Sequence, residues 1–278
     1  FTGKLVAEYF ANRVPFESCS WTIAGRNPTK LSALRERLGL IREDCSSMEW
    51  IEADRNSAES LRELCSRTKV VLTTVGPYAL YGAALMEACI EQGTDYVDIT
   101  GEPEFWGAAI ENYHERAKEA GVILVPCCGF ESIPPDLGAL YTLQQLPPDE
   151  PKTITAYVAA KGKISGGTWH SALNAMAGFR KQTLGPKSKE GKSPNRKKGS
   201  QTGLHYSSVV ASWALPLPTI DATVVKRSAR LRGDYGPEFQ FSYHMQTQNR
   251  LQALGLMGGV GCVFALAQLP PLRAWLLS

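Results

Sequence analysis

The sequence predicts an α/β chain in two lobes: a doubly wound parallel sheet that lacks its first strand, then a second α/β lobe with a mixed or antiparallel sheet. Three observations predict it. Over residues 1–147, short β-branched runs alternate with segments of helical period, the pattern of strands and crossover helices. The first helical segment starts almost at residue 1, where such a chain should open with a strand. After "LPPDEP" (146–151) the pattern changes to strict alternation, which puts the lobe boundary between residues 147 and 148.

The elements follow in order. "FTGKLVAEYFA" reads as a helix with Leu5, Val6, Tyr9 and Phe10 on one face and Thr2 or Gly3 at its start. "SWTIAG" is a short buried strand. Asn27 caps the next helix, with Pro28 at its first position and Leu31, Leu34 and Leu38 as its apolar stripe. "MEWIEAD" is a strand, Ser57 a cap, Leu61, Leu64 and Cys65 a stripe, and "KVVLTTVGP" a further strand. A helix over 82–92 closes at Gly93, "DYVDITGE" is a strand, a helix over 104–120 ends at Gly121, and "GVILVPCCG" is the last strand of the lobe.

In the second lobe (148–278), "TITAYVAAKG" and "PEFQFSYHMQTQ" alternate as strands, the latter with Phe239, Phe241, Tyr243 and Met245 on one face. Gly166-Gly167-Thr168 should turn into a helix over 169–181. The basic stretch within 185–203 reads as a solvated loop, with attraction to an anionic surface as the alternative. The C-terminal segment 251–278 has no charge from Leu251 to Leu272. A buried helix is its plainer reading and a hydrophobic hairpin turned by Pro270-Pro271 the other.

Bulk composition excludes several classes. The chain has 278 residues, 44% hydrophobic and 21% charged, which is enough apolar material for real cores. A net charge of +3 is too balanced for a nucleic-acid binder. Seven cysteines, odd in number and irregularly spaced, read as thiols of an intracellular, reducing compartment. The four histidines lack metal-ligand spacing, so no metal site is expected. No secretory signal is visible. Tyr157 and Lys161 match Tyr-x-x-x-Lys, but on a strand they sit about 13 Å apart, too far for the Lys to act on the Tyr.

In a doubly wound sheet ligands lie beyond the carboxyl ends of the strands. Thr2-Gly3 would end a glycine-rich phosphate loop, with the first helix N-terminus facing a phosphate. After the second strand of the full pattern, where an NAD enzyme carries a carboxylate for the ribose, this chain has Arg26, then Asn27, with Lys30 one turn on; a guanidinium there suits a 2'-phosphate. An ordinary surface arginine is the rival reading. Asp54 ends the third strand, a position often beside the adenine, or else it is a surface residue. Gly76 and Pro77 make room for the cofactor and set the exit direction, unless they form a simple strand-to-helix turn. Tyr78 and Tyr81 would then face the substrate. Asp98 and Glu102 lie at the same edge and suit proton transfer, with helix capping as the alternative for Asp98 and for Asp136.

These residues together resemble the saccharopine dehydrogenase-like oxidoreductase family, through "FTGKLVAEYF", "IAGRNPTKL", "TTVGPYALYG", "YVDITGE", "GFESIPPDLG" and "SGGTWHSAL", in that order from residue 1 to 172. Members normally begin with a strand and a Gly-x-x-Gly-x-x-Gly loop, of which Gly3 is the last glycine here, and they continue beyond residue 278. The resemblance implies a Rossmann-type lobe that binds NADP, with Gly3, Arg26, Asn27 and Gly76 at the cofactor. It also implies kinship with trans-acting enoyl reductases of glycolipid synthesis and with proteins of membranes and lipid droplets. The expectation is an NADP-dependent oxidoreductase acting on a small-molecule or lipid-linked substrate, with Tyr78, Asp98 and Glu102 in proton transfer or substrate binding. Gly166-Gly167-Thr168 would hold an anionic group of the substrate. The alternative is a membrane or lipid-droplet protein with a non-catalytic Rossmann lobe. Homodimerisation through the second lobe and weak cofactor binding by residues 1–278 alone are further expectations.

Overall fold

A computed structural model describes residues 1–159, 203–217 and 219–277, and in addition residues 166, 169, 172, 173, 176 and 177. The basic stretch 185–203 (but for residue 203), Gly167 and Thr168, and most of the helix expected over 169–181 lie outside the described residues. The chain divides into two compact units, Phe1–Cys128 and Gly129–Ser278.

The first unit carries five parallel strands in two groups. β1 (Ile23–Gly25) pairs with β2 (Trp50–Glu52), and β4 (Asp95–Asp98) lies between β3 (Val70–Thr73) and β5 (Leu124–Val125). Among the described residues no ladder joins β1 to β3. A doubly wound sheet places its first strand at that position, between the second and the fourth.

The helices form where their local signals stand. In α2 (Pro28–Gly39) the Asn27 side chain accepts from the Lys30 N–H at 3.0 Å, and in α3 (Ala58–Ser66) Ser57 accepts from the Ser60 N–H at 3.2 Å. α4 (Tyr78–Gln92) and α5 (Pro103–Ala120) end on Gly93 and Gly121, both at φ 67, a left-handed cap that glycine adopts without strain. Between strands and helices, Leu61, Leu64, Met86, Tyr96 and Phe105 build one core. Met86 is fully buried there, which contributes about 2 kcal/mol. Gly82 lies directly against the Phe105 ring, so α4 and α5 approach closely only because that position has no side chain.

α1 (Thr2–Arg13) buries Ala7 and Ala11, whereas Leu5 and Tyr9, two of the four large residues expected on one face, are exposed. The small residues let the helix come close to the group that holds Ile23, Leu31 and Leu38. Arg42 fixes it there by donating from Nε to the Ala11 carbonyl at 2.7 Å.

The second unit holds the mixed sheet, in the order β6 (Lys152–Val158), β9 (Phe239–Thr247), β8 (Ser212–Pro216), β7 (His205–Ser207). β6 runs parallel to β9, and the other two pairings are antiparallel. One face, with Phe239, Phe241 and Tyr243, packs on Ala139 of α6 (Ile133–Leu143) and Val225 of α7 (Asp221–Arg232). α6 therefore packs within this unit. Asp136 does not cap α6; its carboxylate accepts from the Ser228 hydroxyl at 2.9 Å.

The apolar C-terminal segment forms α8 (Arg250–Ala267) and α9 (Pro270–Leu277). α8 is not the buried helix that is the plainer reading of its composition. Only Ala253 and Ala267 are buried in it, and Leu251, Leu254, Met257 and Val260 are exposed.

Candidate functional site

The carboxyl ends of the strands in the first unit bring most of the expected site residues to one edge. At the β3 side the chain leaves the strand through Thr74, Val75 and Gly76, and α1 meets it: a Cβ on Gly3 would lie 3.0 Å from the Thr74 hydroxyl. The helix N-terminus, with no acidic residue in its first turn and no side-chain cap, thus faces the turn that carries Gly76. A close-packed helix start without a protein carboxylate suits a phosphate.

Gly76 is exposed and its peptide to Pro77 is cis. Pro77 stands at the start of α4 and offers no side-chain cap. The cap comes instead from Glu102, whose two carboxylate oxygens accept from the N–H groups of Tyr78 and Ala79 at 3.0 and 2.9 Å. Glu102 is 5% exposed and itself begins α5, so one buried carboxylate serves the free donors of a second helix. Each oxygen of Glu102, expected in proton transfer or substrate binding, thus accepts from one backbone N–H of α4.

The Tyr78 ring packs on Phe105 within the core, and its hydroxyl donates to the Thr73 carbonyl at 3.2 Å. Asp98 is fully buried. Oδ2 accepts from the Tyr96 hydroxyl at 2.6 Å, and Oδ1 from the N–H groups of Thr100 and Cys127, both at 2.9 Å. Burial pushes its carboxyl above the usual range, only partly offset by these donors. Cys127 sits at φ 66, a region non-glycine residues rarely adopt, and Asp98 holds it there while the Asp98 carbonyl accepts from Cys128 N–H at 2.8 Å. Asp98 therefore ties the ends of β4 and β5 together.

The β1–β2 side is built differently. Arg26 and Lys30 are exposed, and no carboxylate pairs with them among the described residues. Asn27 spends its side-chain oxygen on the α2 cap, which limits it to a backbone or amide-nitrogen contact with any ligand. Asp54 turns its carboxylate onto the Asn56 N–H at 3.0 Å, an Asx turn that shapes the loop rather than greeting a ligand. The next residue, passed over in the sequence, is the one displayed: the Arg55 guanidinium carbon lies 3.6 Å from the centroid of the Tyr81 ring. Tyr81 faces Arg55 and not a substrate position beside Gly76. The signal available beforehand was only that Arg55, like Arg26, follows a strand end.

Comparison with known proteins sets this edge in context. Residues 1–125 match the model of the saccharopine dehydrogenase NADP binding domain. A protein of Mycobacterium tuberculosis named as a putative trans-acting enoyl reductase is 33% identical over 96% of this chain and 68% of its own length. This chain belongs to the saccharopine dehydrogenase-like oxidoreductase family. An Arabidopsis thaliana protein named as a probable mitochondrial saccharopine dehydrogenase-like oxidoreductase is 37% identical over 82% of this chain and 53% of its length. A lipid droplet localized protein of Caenorhabditis elegans is 36% identical over 68% of the chain and 46% of its length. The chain thus spans about half the length of the plant and nematode relatives.

The fold of this family member is that of apo saccharopine dehydrogenase (L-Glu forming) from Saccharomyces cerevisiae, at a TM-score of 0.52 and 14% identity over 87% of this chain and 52% of that one. Its first unit is an NADP-binding domain. The residues present fit that cofactor: a helix start clear of acidic groups at Gly3, and cations without counter-charge after β1 and β2.

Proposed function

We propose that this protein is an NADP-dependent oxidoreductase acting on a lipid-linked substrate. The observation that carries the reading is the exposed, unpaired Arg26 at the end of β1, with Lys30 one turn further along. A carboxylate there would repel a 2'-phosphate; a guanidinium binds it through a charged fork. Thr2, Gly3 and Gly76 would line the pyrophosphate and Arg26 and Lys30 the 2'-phosphate. When bound, NADP supplies the hydride chemistry, and the chain's own work is to bind and orient. Tyr78, Asp98 and Glu102 fix the turns around Gly76 and Cys127.

The test is titration of the full-length protein with NADPH and NADH. NADPH should bind at least tenfold more tightly, and Arg26→Ala should remove most of that preference, a loss of about 1.5–3 kcal/mol for a hydrogen bond to a charged group. Equal affinities that Arg26→Ala leaves unchanged would end the 2'-phosphate reading.

The lipid half of the reading draws on α8. Its mean hydropathy is 1.5 and 11% of it is buried, so by length and composition it can enter a membrane. A helix apolar on all sides and left uncovered is unfavourable in water. Localisation at lipid droplets is named for the nematode relative, and association with such a surface or with a membrane would bring the protein to a lipid-linked substrate. Flotation of the full-length protein with phospholipid vesicles, against a variant with charged residues at Leu254, Met257 and Val260, tests it. Unchanged flotation would eliminate α8 as the contact.

A further inference from the structure

We infer that Arg55, backed by Tyr81, is the stacking face for the adenine ring of the nucleotide. The inference rests on the NADP reading and deepens it by assigning a residue that neither the family match nor the sequence pattern singles out.

The placement comes first. β1 and β2 are adjacent and in register, Gly25 opposite Glu52, and the Ala53 N–H donates to the Gly25 carbonyl at 3.0 Å. Arg26 and the Asp54-Arg55 loop therefore leave neighbouring strands at the same, ligand-binding edge. The loop is held firmly. Asp54 accepts from Asn56, its own N–H donates to the Ser60 hydroxyl at 3.0 Å, and Ser57 caps α3. Arg55 is presented by a fixed turn and not by a floppy one.

The chemistry comes second. Tyr81, half-buried in the first turn of α4, covers one face of the Arg55 guanidinium at 3.6 Å. Nε of Arg55 is buried and has no hydrogen-bond partner, and no carboxylate neutralises the group among the described residues. A structural arginine would use those donors on a carboxylate or a carbonyl, and leaving one buried and unmade carries a cost. Tyr81 holds the plane of this cation, and guanidinium planes stack on nucleobases as they do on aromatic side chains. With Arg26 and Lys30 at the next strand end, the set matches adenosine 2'-phosphate: cations for the phosphate, a flat cation for the base.

The experiment measures binding by calorimetry to the full-length protein with three probes: adenosine 2',5'-bisphosphate, 5'-AMP and nicotinamide mononucleotide. Arg55→Ala should weaken both adenine probes about tenfold, as loss of one base stack does, and leave the mononucleotide unaffected. Arg55→Lys, which keeps the charge and loses the plane, should fail to restore either. Arg26→Ala should weaken the bisphosphate and spare 5'-AMP. If Arg55→Ala weakens only the bisphosphate and Arg55→Lys restores it, Arg55 is a phosphate contact and the stacking assignment is overturned. If the wild type binds the adenine probes and Arg55→Ala binds them equally well, the inference falls while the NADP reading stands. If the wild type binds neither adenine probe, both fall together. Saturation transfer to the adenine protons in the wild type, lost in Tyr81→Leu, gives a readout independent of folding losses at Arg55.

Discussion

Two stretches of the same sheet edge behave in opposite ways. Beyond β3 and β4, every polar group singled out at Tyr78, Asp98 and Glu102 is turned inward and spent on the protein's own backbone or on Tyr96. Beyond β1 and β2, Arg26, Lys30 and Arg55 hold charge that no carboxylate answers among the described residues. One side has solved its electrostatics by folding. The other leaves that to a ligand. Buried carboxylates at a cleft attract attention as catalysts; here they hold the turns together, and the proposed nucleotide site lies with the unanswered cations.

The contrast can be broken by substitution, since the first stretch should register in stability and the second in binding. The largest effect is expected of Glu102→Ala, which strands the Tyr78 and Ala79 N–H groups in the interior. It should lower the unfolding free energy in urea by about 3 kcal/mol. A fully stable variant that had lost activity would instead restore Glu102 to the chemistry. Asp98→Asn comes next, and its signature is a slope. Because burial raises the Asp98 carboxyl, the fold favours the protonated form. The stability so gained is present below the ordinary carboxylate range and is lost as pH rises through the raised value. The wild type should therefore lose stability relative to Asp98→Asn as pH rises above about 4, the ordinary carboxylate value. A constant difference would contradict the raised pKa. Tyr78→Phe should cost about 1 kcal/mol, one buried hydrogen bond to Thr73, and leave kcat within twofold. The smallest shift is expected for Arg26→Ala, within about 0.5 kcal/mol in stability, although it weakens NADPH binding most.

The legible parts of the sequence were the local ones. Asn27 and Ser57 as caps and Gly93 and Gly121 as helix stops need only neighbours three or four residues away, and all four act so. The alternation at Phe239, Phe241 and Tyr243 likewise identified the face of β9 that packs on helices. Roles that depend on distant partners were not legible. Glu102 caps a helix that begins 24 positions earlier, and no periodicity connects the two. In α1 the apolar face formed by Leu5, Val6, Tyr9 and Phe10 did not reveal that close approach buries Ala7 and Ala11. Arg55 stood next to the residue chosen, Asp54. A turn of one residue decides which side chain a loop displays, and that turn is set by Asn56 and Ser60.

The Glu102 carboxylate has a consequence for motion as well as for strength. Because it starts α5 while gripping the first amides of α4, neither helix can fray at its N-terminus without releasing the other. The two should open as one cooperative unit. In native-state hydrogen exchange the Tyr78 and Ala79 amides would then share a single opening free energy with the first hydrogen-bonded amide of α5, Trp106. The turn at Gly76 would keep its shape for as long as that latch is closed.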